Sequence, residues 1–146
     1  MKWLFLFVAF TLAASGQRKT ACSFVTQQDA ESILGPKAMQ HVGPGSCAWN
    51  LPNSPLVFVV IVDSNPQIKQ QIYMPRTAIA KAGGTVREEP GVWGGAYSTT
   101  IPGAQTIYLL KGDTGASITI TNDRKGVLPD MLDKLRPVAK RIVGRM

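Results

Sequence analysis

Leu56 to Val62 reads LVFVVIV, an unbroken apolar run in which most side chains are β-branched. A strand with one wet face alternates apolar and polar residues. A continuous run predicts a strand buried on both faces. Helical layers are therefore expected on both sides of the sheet that contains it.

The flanking segments supply candidates for those layers. Thr26 is placed as an N-cap, Asp29 sits near the positive end of a helix, and Gly35-Pro36 is a stop, so a helix is expected over Gln27–Leu34. Asn65-Pro66 has the chemistry of a second helix start. Ile68, Ile72 and Ile79 form its stripe, and Gly83-Gly84 ends it. Pro75 is expected to kink or split this helix, because an interior proline costs about 3 kcal/mol. A last helix is expected from Pro129 to Val143, with Met131, Leu135, Val138 and Ile142 on one face and Pro137 inside it.

Between the helices the pattern becomes extended. Cys47–Leu51 reads as a short strand, and His41–Ser46 as a loop rich in glycine and proline. Thr85–Glu88, Ala96–Ile101, Gln105–Leu110 and Ser117–Thr121 read as antiparallel strands, with a hairpin turn over Lys111–Gly115. The predicted class is α+β: a central, mostly antiparallel sheet with helices on both faces.

Residues 1–16 carry a different signal. Lys2 precedes WLFLFVAFTLAA, an uncharged stretch of about 12 residues, where a membrane span needs roughly 20. Ala14-Ser15-Gly16 then offers small residues for cleavage. This is the pattern of a secretory signal peptide, with the mature chain starting near Gln17 and forming one domain over residues 17–146. The expected location is periplasmic or secreted. A lipid anchor at Cys22 is disfavoured, because Lys19 stands where a lipobox needs an aliphatic residue.

Export gives the two cysteines a meaning. Cys22 and Cys47 are an even pair in an oxidising compartment and are expected to form a disulfide. Closing that loop is worth roughly 3.5 kcal/mol in the chain-entropy model. With one histidine and a bridged pair, too few soft ligands remain for a tight metal site, so no metal or cofactor is expected.

The charge is +7 at pH 7, and +6 once Lys2 leaves with the signal. Basic residues gather late in the chain. Lys134, Lys140, Arg141 and Arg145 are the candidate contacts to an anionic envelope component. The competing view is a solvated helix face. Nucleic acid is an improbable partner, because no aromatic residue interleaves these charges to stack on bases.

The motifs for catalysis are incomplete. His41, Ser46 and Asp63 supply the residue types of a hydrolytic triad, but no G-x-S-x-G elbow surrounds a serine. Glu88 and Glu89 are adjacent, so in a strand they point to opposite faces. Asp113-Thr114-Gly115 has the triplet of aspartic proteases, without the second copy that chemistry needs, and reads as turn. Trp93, set between Gly91 and Gly94-Gly95, is the candidate ligand contact, with Tyr97 four residues on; the competing reading has Trp93 fold back to close the end of the core.

The order of short motifs carries a resemblance. It comprises Cys22-Ser23-Phe24-Val25-Thr26, a short helix ending Leu34-Gly35, then Cys47-Ala48-Trp49. A helix ending Gly83-Gly84 follows, then Val92-Trp93-Gly94-Gly95-Ala96-Tyr97, a hairpin and a terminal helix. Over Cys22 to Gly144 the chain resembles small exported bacterial domain-of-unknown-function proteins, many of them actinobacterial lipoproteins. The resemblance implies a PsbP-like α/β/α sandwich and carries over no catalytic residues. The reading is a non-catalytic exported module that binds a ligand, an envelope surface or a protein partner. The alternatives are a small envelope hydrolase or accessory enzyme using His41, and a structural envelope protein.

Overall fold

The computed structural model describes residues 19–124 and 126–146. The expected signal peptide, its cleavage site and the start at Gln17 lie outside the described residues.

The architecture is α+β. The strands are β1 (Met39–Gly43), β2 (Ser46–Asn50), β3 (Leu56–Ser64), β4 (Thr85–Glu88), β5 (Tyr97–Ile101), β6 (Ala104–Lys111) and β7 (Thr114–Asn122). They form one antiparallel sheet in the order β1-β2-β3-β7-β6-β5-β4. Helices α1 (Gln27–Leu34), α2 (Ile68–Lys81) and α3 (Leu132–Arg145) complete the fold, with a 3-10 turn at Ala21–Ser23. The chain builds β1-β2-β3 as a meander and crosses through α2 to the far edge. It then returns through β4, β5 and β6, so that β7 closes on β3 along its whole length, from Leu56↔Asn122 to Ser64↔Thr114.

Turn chemistry sets the hairpins. Pro44-Gly45 and Pro102-Gly103 place proline first and glycine second, with Gly45 at φ +68° and Gly103 at φ +82°, as a type II turn requires. The third hairpin turns on Gly112-Asp113 alone, with glycine at φ +58° in the first position, as in a type II′ turn.

The two faces of the sheet differ. On the inner face the register aligns Trp49, Phe58 and Ile120, then Cys47, Val60, Ile118 and Ile107. These are fully buried beneath α1, α3 and the 3-10 turn. Trp49 and Phe58 stack with ring centres 5.5 Å apart. The Cys22–Cys47 disulfide ties the 3-10 turn to this face, with a Cα–Cα distance of 5.1 Å. On the outer face α2 lies over β4 to β7, where Ile68 and Ile72 meet Tyr97, Tyr108 and Leu110.

Here the structure corrects the reading of LVFVVIV. Phe58 and Val60 are fully buried, but Val57 and Val59 are only half-buried and Ile61 is 48% exposed. Both helical layers exist, yet α2 packs over β4 to β7, so the run is fully covered on its inner side and only partly on its outer side. Its β-branched side chains satisfy the strand geometry without demanding a second lid.

Other expectations shift less. Helix α1 forms as expected. Thr26 Oγ1 accepts from the Asp29 N–H at 3.1 Å and Asp29 Oδ2 accepts from the Thr26 N–H at 3.0 Å, a full capping box. The expected loop over His41–Ser46 is instead β1, the two-residue turn and the start of β2. Pro75 does not split the helix: α2 runs from Ile68 to Lys81 with the proline inside it. Asn65 acts one turn before α2, accepting the Gln67 N–H on Oδ1 at 2.9 Å. Helix α3 starts at Leu132, because Gln105 holds the preceding segment. Its Nε2 donates to the Pro129 carbonyl at 3.0 Å, and its Oε1 accepts the Met131 N–H at 2.7 Å.

Candidate functional site

The basic residues of α3 are largely consumed by the fold. Asp29, with its side chain 3% exposed, accepts Arg141 Nε on Oδ1 and Arg145 Nη1 on Oδ2, both at 2.6 Å. Arg145 also donates to the Phe24 carbonyl at 2.8 Å. The cluster locks the start of α1 to the end of α3. Burial acts to raise the Asp29 pKa, but the Thr26 N–H and the two guanidinium groups outweigh it and hold it at about 2. Of the four expected anion contacts, Arg141 and Arg145 therefore already have an anion. Lys134 and Lys140 stand exposed on the outward side.

A second buried carboxylate repeats the device. Glu89 accepts Arg136 Nε at 2.9 Å and the Ser98 hydroxyl at 2.7 Å. Burial raises its pKa, and the Arg136 and Ser98 hydrogen bonds more than reverse that, leaving it below the ordinary value. Its neighbour Glu88 turns to the other side of the sheet and pairs with Arg76 on α2. The adjacent glutamates thus point apart, each to its own helix.

The two aromatic candidates also point apart. Trp93 is 38% exposed, and Lys111 Nζ lies 5.6 Å from its ring centre while donating to the Val143 carbonyl of α3 at 3.0 Å. Tyr97 is fully buried beneath α2, stacked between Tyr73 at 6.0 Å and Tyr108 at 4.7 Å. Its hydroxyl donates to the Ile72 carbonyl, and burial pushes its pKa well up. Trp93 sits toward α3 and Tyr97 toward α2, so one ligand would not touch both. Among the glycines near Trp93, only Gly95 is required by the fold: its φ is +79°, and a Cβ there would stand 2.8 Å from the Tyr73 hydroxyl.

His41, Ser46 and Asp63 all project from the outer face, but no hydrogen bond joins them. His41 Nε2 pairs with Asn50 Oδ1 at 2.9 Å. Asp63 accepts from the Ser64 N–H and from Asn65 Nδ2, both at 2.8 Å. Among the described residues no three histidine, cysteine or carboxylate side chains converge as metal ligands would. No described helix is long and apolar enough to cross a membrane.

The residues that sequence reasoning missed are on the open half of the outer face. Val57, Val59 and Ile61 of β3 stand in register with Asn50, Ala48 and Ser46 of β2 and with Thr121, Thr119 and Ser117 of β7. No helix covers them. A signal was present: between Lys37 and Asp63 the sequence contains no Asp, Glu, Lys or Arg, although 17% of the chain is charged. Two hollows flank this half. One, of about 620 Å³, is walled by Pro36, Met39, Leu51 and Pro52. The other, of about 490 Å³, lies under the 3-10 turn between Lys19, Phe24, Val62, Ser64 and Thr114.

Comparison with protein-family models, with characterised proteins and with solved structures returned no match to this chain.

Proposed function

We propose that this chain is an exported, non-catalytic binding module whose recognition surface is the uncovered half of its sheet. One observation carries the reading: exposed Ile61 and part-buried Val57 and Val59 line up on a half of the sheet that α2 leaves open, with Asp63 as the charged group at its end, while the buried carboxylates Asp29 and Glu89 are committed to internal pairs. Contiguous exposed apolar surface is where a folded protein meets a partner. The disulfide accords with export, as does the resemblance to exported bacterial domains with a PsbP-like fold.

The partner surface this face fits is a protein or envelope component of low charge. Site-specific photocrosslinking in exporting cells tests it. A photoreactive residue at position 61 should give a discrete adduct, of a mass other than twice that of the chain. Val59→Thr, which keeps the β-branched shape, should weaken the adduct and leave the melting temperature within a few degrees, since Val59 is only part-buried. Equal or stronger adducts from position 134 would instead place recognition on the basic helix and reject this reading.

A further inference from the structure

We propose that two copies of this chain join edge to edge through β1, antiparallel strand to antiparallel strand. The product is a two-fold dimer in which one sheet runs through both copies. The inference stands on the edges of the sheet and goes beyond the face described above.

The sheet has two edge strands, and they are built differently. An edge presents a row of unpaired backbone groups, and natural sheets protect such rows with charge or proline. β4 is protected. Arg87 and Glu88 are exposed within it. β1 is not. Met39-Gln40-His41-Val42-Gly43 contains no Lys, Arg, Asp, Glu or Pro, pairs only with β2, and leaves Val42 67% and Met39 44% exposed. An unprotected edge on a chain that protects its other edge points to a strand that is meant to be paired.

Charge identifies what pairs with it. Two copies at +6, the charge once Lys2 leaves with the signal, repel wherever charged surfaces approach within about 8 Å, the screening length at physiological salt. The segment from Ala38 to Val62 is the long uncharged stretch of the chain, and it forms β1, β2 and most of β3. Meeting at β1 keeps the cations of α2 and α3 and the charged β4 edge at the far sides of the pair. Antiparallel pairing about a two-fold axis is also self-complementary, so the same strand serves both copies and the assembly closes at two. The protected β4 edge prevents growth beyond that. The hollow at one end of β1 has apolar walls in Pro36, Met39, Leu51 and Pro52, with Lys37 the one cation on its rim, and it adjoins the joint.

Five paired residues make a small interface beside the roughly 1,600 Å² of a standard one, so dissociation constants of about 10–100 µM are expected. Sedimentation equilibrium on the disulfide-bonded protein, purified from an oxidising compartment and measured from about 1 µM to about 1 mM, should show the mass rise toward twice the monomer. Hydrogen exchange over the same range should slow at the amides of Met39–Gly43 and leave Thr85–Glu88 unchanged. Val42→Lys places like charges on both sides of the joint and should weaken the dimer about tenfold or more. Lys134→Gln should leave it unchanged. A monomer at every concentration overturns the proposal. So does a dimer that slows exchange at β4 and not at β1. If Val42→Lys fails to fold, the exchange pattern of the unsubstituted protein decides alone.

Discussion

Asp29 shows how much one residue can carry. It completes the capping box of α1 and receives two arginines from α3, more than a hundred residues later in the chain. Its position near a helix start was legible, because a carboxylate is favoured there by the backbone N–H groups. Its two cationic partners were not, because nothing local relates α1 to α3. Asp29→Asn keeps size and polarity but removes the charge that both arginines face. Breaking a buried pair costs about 3–5 kcal/mol, and the part-exposed arginines lower that to about 2–3 kcal/mol. Urea unfolding of the variant should show that loss, and Arg141→Gln alone should cost less, because Arg145 remains. Tyr97 gives the converse lesson. Its chemistry is that of a recognition residue, yet its neighbours Ile72, Tyr73 and Tyr108 make it core.

At the scale of elements, legibility followed local chemistry. α1, β4 and the β5-β6-β7 meander were readable, because caps, Gly-containing turns and alternating side chains are all short-range signals. β1 was not readable. Its residues show no alternation, and Gly43-Pro44-Gly45-Ser46 looks like loop until β2 is present to pair with it. The Asp113-Thr114-Gly115 triplet shows the same limit. Its turn character was visible, but only Asp113 stays in the turn, while Thr114 and Gly115 begin β7. The glycine answers to another element. A Cβ on Gly115 would stand 2.6 Å from Ile68 and 2.7 Å from Ile72, so its absence lets α2 sit on the sheet. Gly115→Ala should push α2 outward at a cost of about 1–3 kcal/mol, as overpacking does. Thermal unfolding measures the loss. Near-ultraviolet circular dichroism should change with it, because Tyr73 of α2 stacks on Tyr97, which stacks in turn on Tyr108. An unchanged spectrum with unchanged stability would show that α2 does not depend on this glycine.

Over the whole molecule, two buried carboxylates hold α3 to the rest, Asp29 through α1 and Glu89 through the segment between β4 and β5. Both have folded pKa values below their unfolded ones, Asp29 at about 2. Their contribution is therefore complete above the unfolded values, about 3.9 for Asp and 4.3 for Glu. It is lost as pH falls through the folded values. For Asp29 this is worth roughly 1–2 kcal/mol, reduced from the full shift because its arginine partners are partly in water. Urea midpoints should be level through neutral pH and fall from about pH 4.5 toward pH 2. Asp29→Asn together with Glu89→Gln should flatten that slope. A slope unchanged in the double variant would place the acid sensitivity elsewhere.

The sequence by itself determined the α+β class, the cysteine pair, the capped α1 and most of the antiparallel meander. Each of these is set by residues close in the chain or by the intrinsic geometry of turns and strands. Tertiary structure decided which faces are covered. The apolar run of β3 could not reveal that α2 would lie over β4 to β7 and leave Val57, Val59 and Ile61 open, because coverage depends on where a crossover helix lands. It likewise decided that Arg141 and Arg145 serve the fold through Asp29, while Lys134 and Lys140 face the solvent. Charge and hydrophobicity are properties of residues; exposure is a property of the packed chain.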